Sequence, residues 1–199
     1  MAHGSTLEPR YSGRMQSAIT FRALSESDLP LMQDWLSRPH VTEWWEPAPT
    51  LEEVREDYLP RLAPQDVLPL DAPAGVVQYL AYEAGVPFAF VQAYRVMAHQ
   101  AEGWWPDETD PHALGVDQFI GLPERLGQGL GTRMLQAFVA FLFQDPRVSR
   151  LQTDPAPTNA RAIACYRKVG FRDVGVVETL DGPALLMRLI RDAAPHHLR

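Results

Sequence analysis

Gly127, Gly129 and Gly131 alternate with Gln128 and Leu130 directly before a helix-like run in which Leu135, Phe138, Val139 and Leu142 fall at helical spacing. Ahead of them, residues 115–120 (Gly-Val-Asp-Gln-Phe-Ile) read as a strand. A strand that enters a glycine turn and leaves it as a helix constrains the fold more than any other feature of the chain. Without Cβ atoms, the glycines let successive N–H groups turn toward one point, and the helix adds unpaired N-terminal donors and the positive end of its dipole. A pyrophosphate fits such a place. A nucleotide P-loop is excluded because Gly131 leads to Thr132 and Arg133 rather than to Gly-Lys-[Ser/Thr]. The dinucleotide fingerprint is excluded because residues 130–134 hold no suitable third glycine. Taken alone, the pentapeptide fits a turn that merely starts a helix at least as well.

The second half of the constellation shifts that balance. Asp154-Pro155, Asn159, Tyr166 and Gly170-Phe171 follow about 25 residues or more after the loop. Residues 125–132 resemble motif A of the GNAT N-acetyltransferases, and residues 159–171 resemble their motif B. Within that superfamily, residues 40–45 (His-Val-Thr-Glu-Trp-Trp), 103–105, 109–111, 115–118, 151–155 and 181–184 stand in the order seen in aminoglycoside 6'-N-acetyltransferases. The resemblance spans residues 19–191, and the paired tryptophans are its most specific part. One position departs: Leu126 stands where an Arg or Gln is usual, with Arg125 shifted by one. Phosphate contact there is expected from backbone, Gln128 or Arg125.

The resemblance implies an α/β GNAT fold, a central mixed, mostly antiparallel sheet flanked by helices, with a V-shaped splay that holds acetyl-CoA. It places the cosubstrate against Phe119, Ile120, Arg125, Gly127, Gln128, Gly129, Leu130, Gly131, Thr132, Asn159 and Tyr166, with the thioester near Phe119 and Ile120. The backbone N–H of one of these two would hold the oxyanion. A primary amine with a pKa of ~10.4 must lose a proton to attack, and Asp117 is the candidate base. An ordinary aspartate at ~3.9 is a poor base for that proton, so desolvation or relay through water is required. Without the resemblance, a surface or salt-bridged carboxylate fits too. Tyr166 matches the family's acid for the leaving thiolate, although its spacing with Ile163 and Val169 suits a core residue as well. The implied substrate is a polycationic aminoglycoside, walled by Trp44, Trp45, Trp104 and Trp105 and bound by Gln92, Glu102, Asp117 and Asp154. Glu102 departs from the usual Asp, and Asp154 before Pro155 also suits a turn. Another amine, such as a hydroxylysine siderophore precursor or a polyamine, remains an alternative, as does a non-catalytic acyl-CoA sensor. The acidic stretch 102–110 is expected to favour a multiply charged drug over a single amine.

Length and charge agree with this. The 199 residues, 46% of them hydrophobic, suffice for one domain, placed at 18–192 between a flexible extension (1–17) and a tail (193–199). A net charge of -7 disfavours nucleic acid and anionic membrane as partners and favours a cation. There is no apolar run near the ~20 residues of a membrane span and no signal-peptide core before residue 17, so a cytoplasmic protein is expected, as monomer or homodimer. The single cysteine, Cys165, forms no internal disulfide and reads as packing, and no His/Cys spacing suggests a metal.

The remaining pattern is strand 19–24, then a Ser25/Asp28 capping box for a helix through Leu29, Met32, Trp35 and Leu36, which Pro39 ends. Thr50 and Glu53 cap a second helix with Leu51, Val54, Tyr58 and Leu62 on one face. Segments 76–82 and 86–97 form a hairpin about Glu83-Ala84-Gly85, and 99–114 is a long loop. Strand 151–153, a helix begun by Thr158 or Asn159 and closed by Gly170, and strands 171–178 and 184–190 complete the sheet.

Overall fold

A computed structural model describes residues 17–45, 48–102, 105 and 107–191, the side chain of Glu102 excepted. Trp104, the Glu102 side chain, the extension up to residue 16 and the 193–199 tail therefore lie outside the described residues. The strands are β1 (Ile19–Ala23), β2 (Val76–Glu83), β3 (Val86–Arg95), β4 (Ala113–Ile120), β5 (Arg150–Thr153), β6 (Arg172–Thr179) and β7 (Gly182–Ile190). They form one sheet in the order β1-β2-β3-β4-β5-β7-β6, antiparallel throughout except between β4 and β5. The helices are α1 (Leu29–Leu36), α2 (Pro39–Thr42), α3 (Leu51–Tyr58), α4 (Leu130–Leu142) and α5 (Ala160–Val169).

The one parallel pairing is also the shortest among neighbours, Ala113–Gly115 against Arg150–Gln152. β5 stops at Thr153, ahead of Asp154 and Pro155, and proline cannot donate to a ladder. From Val116 to Ile120, β4 is paired on its β3 side alone. This opening is the splay. At its closed end the Tyr94 ring lies over Gly115, where a Cβ would fall 2.1 Å from the ring.

Alternation along the strands feeds two cores. Val77, Tyr79, Val91, Leu114 and Val116 face α4 and α5 through Met134, Leu135, Phe138 and Ile163. Leu80, Phe90 and Phe119 face Leu29, Met32, Trp35, Val41, Val54 and Tyr58 of the first three helices. Both capping boxes form. Thr50 N–H donates to Glu53 Oε2 at 2.7 Å, and Ser25 N–H donates to Asp28 Oδ2 at 2.9 Å on a 3-10 turn that leads into α1. α1 ends ahead of Pro39 as expected, with Arg38 extended at φ -80° and ψ 135°, and the same proline starts α2 at a first-turn position where its missing N–H costs nothing. β3 ends at Arg95, two residues short of the expected Met97, because residues 96–102 wind into a 3-10 turn.

The β2–β3 turn places Ala84 at φ 51° and Gly85 at φ 78°, the two positive angles of a type I′ hairpin turn. Asn tolerates that region better than Ala, so Ala84→Asn is expected to stabilise the chain by about 0.5–1 kcal/mol. Denaturant unfolding measures it, and a lower midpoint would contradict the turn assignment.

Candidate active site

The glycine loop owes its composition to backbone angles. Gly127 and Gly129 have φ of 72° and 75°, and a Cβ at either would meet nothing within 4 Å. Conformation, not space, requires glycine there. α4 then begins without a side-chain cap, and Arg133 N–H to the Gly129 carbonyl (3.1 Å) closes its first turn. The N–H groups of residues 130–132 precede that bond and are free for an anion.

A cleft of about 280 Å³ opens at this helix end. Of the residues expected to hold the cosubstrate, Phe119, Ile120, Arg125, Gly127, Gly129, Leu130, Gly131, Thr132 and Asn159 line it. Trp44 and Trp45 line it from the other side. Gln128 does not line it: its carboxamide donates to the Glu124 carbonyl at 2.5 Å. Asn159 also caps α5, accepting from Ala162 N–H at 3.1 Å. Sequence reasoning passed over Arg161 and Lys168, two turns apart on α5, which flank Ala164 and Cys165 on the cleft side. The signal was present as a cationic pair seven residues apart on a helix already assigned to the site. His40 was passed over as well: it lines the cleft, with Nε2 2.9 Å from the Ile120 carbonyl.

Two residues before Phe119, Asp117 belongs to a polar row set by strand register. Gln78 pairs with Gln92 across β2–β3, and Gln92 pairs with Asp117 across β3–β4. Asp117 Oδ2 accepts from Gln92 Nε2 at 3.0 Å, and Gln92 Oε1 accepts from Gln78 Nε2 at 3.4 Å. Burial pushes the Asp117 carboxyl up to about 6, against the Gln92 hydrogen bond, which acts to lower it. Asp154, just past β5, is pushed up to about 7 by burial and by the charges of Asp117 and Asp181. Tyr166 is buried on α5, hydrogen-bonded to Thr153, with its hydroxyl pushed well up by burial and by Asp117. These groups are electrostatic neighbours, so the structure brings Gln92, Asp117, Asp154 and Tyr166 together. A partly buried pair of carboxylates with raised pKa values has an affinity for cations and can take up a proton near neutrality.

The aromatic walls are anchored. Trp45 meets Phe119 edge-on at 5.0 Å and Phe90 at 6.1 Å, and Phe90 stacks on Phe119 at 5.3 Å. Trp105, at a positive φ of 52°, donates its indole N–H to the buried Tyr94 hydroxyl at 3.2 Å. The acidic stretch after it differs from expectation. Glu108 is buried, accepts from the N–H groups of Thr109 and Asp110 at 2.9 Å each, and is ion-paired with Arg150, with Arg188 at 3.5 Å. Asp110 accepts from Ser149 Oγ at 2.6 Å. Both acids are held by the fold, so within residues 102–110 these two do not face a drug. Among the described residues, no group of three or more His, Cys, Asp or Glu side chains is arranged to hold a metal. No helix among them is long and apolar enough to cross a membrane.

Comparison with known proteins agrees with this geometry. Residues 25–179 match the family described as "Acetyltransferase (GNAT) domain". The chain is 43% identical to aminoglycoside N(6')-acetyltransferase type 1 of Klebsiella pneumoniae over 179 residues, covering 88% of this chain and 85% of that protein. It is 51% identical to a kanamycin resistance protein of Rhizobium radiobacter over 90 residues, 45% of this chain and 83% of that one. Among solved structures, aminoglycoside acetyltransferase AAC(6')-Ib in complex with coenzyme A and kanamycin superposes with a TM-score of 0.79 at 42% identity, covering 87% of this chain and 95% of that one.

Proposed function

The chain belongs to the GNAT family of acetyltransferases, and from that premise we propose that it acetylates the 6'-amine of aminoglycosides with acetyl-CoA and so confers resistance. The observation that carries this reading is Asp117. It is a desolvated carboxylate three residues from the end of β4, the strand that leads to an uncapped helix start. Acetyl-CoA fits the cleft by its chemistry. The uncapped α4 start and the open space at Gly127 and Gly129 suit a pyrophosphate, and Arg125, Arg161 and Lys168 bring positive charge to the cleft wall.

In the proposed reaction, Asp117 and Asp154 attract the drug's ammonium groups, and Asp117 takes the proton of the attacking amine directly or through water. The amine nitrogen bonds to the thioester carbonyl carbon while backbone N–H at Phe119 or Ile120 steadies the oxyanion. The carbon–sulfur bond then breaks, and Tyr166 protonates the departing thiolate. Gln92 orients Asp117, and Trp44, Trp45, Trp104 and Trp105 with Glu102 enclose the sugar rings. Loss of one ammonium weakens the drug's electrostatic hold on ribosomal RNA. The working unit is one domain, residues 18–192, in the cytoplasm, as monomer or homodimer, with no nucleic-acid or membrane partner.

One observation favours a second reading. With Glu108 and Asp110 held by Arg150 and Ser149, the loop offers the site fewer acids than its sequence suggests, and a small set of carboxylates also suits a polyamine. Thiol release from acetyl-CoA with kanamycin, tobramycin, gentamicin and spermidine separates the two. Release with spermidine and with none of the drugs would defeat the aminoglycoside reading. Because the base must be ionised, kcat/KM is expected to rise with pH through about 6; a rate independent of pH between 5 and 7 would remove Asp117 from that role.

A further inference from the structure

Glu83, the last residue of β2, takes no part in the reaction described above, yet it touches the cosubstrate loop from behind. Its carboxylate is 16% exposed, and both of its oxygens are taken by guanidinium groups: Oε1 accepts from Arg133 Nη1 at 2.7 Å, and Oε2 is paired with Arg125. Arg133 stands in the first turn of α4, where a cation opposes the helix dipole and an anion complements it. Arg125 lines the cleft, and its Nε is buried without a hydrogen-bond partner. The hydrogen bond from Arg133 and the charges of Arg125 and Arg133 hold the Glu83 carboxyl below its ordinary range, so it is ionised at neutral pH.

A fixed anion thus sits against the same guanidinium and the same helix end that a pyrophosphate needs. We infer that Glu83 limits how tightly the loop holds acyl-CoA and CoA, by neutralising part of the positive charge that Arg125 and the α4 terminus offer the cleft. The inference rests on reading the cleft as an acyl-CoA site. Its value to turnover follows from the chemistry: substrate and product carry the same pyrophosphate, so extra affinity there leaves the acyl-transfer step unchanged and slows release of CoA.

Glu83→Gln removes the charge and keeps an acceptor for a guanidinium, so it reads electrostatics rather than loss of support. Calorimetric titration of the full chain with CoA at low salt is expected to show a Kd about 3- to 10-fold lower than wild type, the gain shrinking as salt rises. A lower KM for acetyl-CoA should accompany it. In an Arg125→Gln background the same substitution is expected to give most of that gain no longer. Arg133→Gln leaves the carboxylate to Arg125 alone and is expected to weaken CoA about 2- to 5-fold, a readout that stands if Glu83→Gln folds poorly. A destabilised variant loses affinity; only a relieved repulsion raises it. Unchanged or weaker CoA binding by a folded Glu83→Gln, or unchanged binding by Arg133→Gln, overturns the inference and leaves the acyl-CoA reading intact. No CoA binding by the wild-type chain would overturn both.

Discussion

Asp117→Asn is expected to lower kcat/KM for amine acetylation by roughly 100- to 10,000-fold while leaving CoA affinity within a factor of about two and raising thermal stability at neutral pH. The amide is isosteric and keeps a partner for Gln92 Nε2, but it cannot accept the amine's proton. Stability moves the other way because the carboxylate is ionised at the expense of the fold. Its pKa rises from an ordinary 3.8 to about 6 through burial. Between those values the folded chain holds a proton that the unfolded chain has lost. The native state is therefore favoured below pH ~4, and that advantage disappears as pH rises through about 6. At ~1.4 kcal/mol per pKa step, relief of the ionised form is worth up to ~3 kcal/mol at pH 7 and little at pH 4. Asp154→Asn should behave alike, with its transition near 7. Kinetics at saturating acetyl-CoA and melting curves at pH 4 and 7 check both halves. Full activity, or a lower melting temperature at pH 7 alone, would contradict the placement of Asp117 as a desolvated base.

The largest stability loss is expected from Glu108→Ala, about 3–5 kcal/mol. With its side chain 2% exposed, Glu108 faces Arg150 and Arg188 and accepts from two backbone N–H groups. Truncation leaves Arg150 without that counter-charge and the Thr109 and Asp110 donors without an acceptor. The loop also carries Trp105, whose N–H reaches the Tyr94 hydroxyl, so KM for the drug should rise more than KM for acetyl-CoA. Glu108→Gln, able to keep the backbone bonds, should lose less. Denaturant unfolding with paired KM measurements tests this, and a loss under about 1 kcal/mol would mean that the ion pairs contribute little.

What the sequence made legible was local. Thr50 with Glu53, Asn159 before its helix, and Gly127 and Gly129 at positive φ each act within a few residues, so spacing alone exposes them. Asp117 was legible because its strand runs straight into the glycine loop. What stayed hidden depends on partners distant along the chain. Glu108 and Asp110 look like a solvated, drug-facing run until Arg150 and Ser149, some 40 residues on, are folded against them. Glu83 and Arg125, 42 residues apart, meet only when β2 and the loop are neighbours. The Gln78–Gln92–Asp117 row exists through cross-strand register, which no single strand encodes. A clue was available in Gln78, a polar residue inside the otherwise apolar and aromatic run Val76-Val77-Gln78-Tyr79-Leu80. Pro39 ends one helix as its position suggests, while its second role, beginning the next, stayed unread because the same ring suits both places.

Transfer of an acetyl group to the 6'-amine is read out by comparing neomycin with paromomycin, which differ in carrying an amine or a hydroxyl at that carbon. Each drug is incubated with the full chain and acetyl-CoA, thiol release is followed, and the product is analysed by mass spectrometry and NMR. The expected result is one acetyl group on the neomycin 6'-nitrogen and no turnover of paromomycin. Equal acetylation of both, or an acetyl group on any other nitrogen of neomycin, would contradict it.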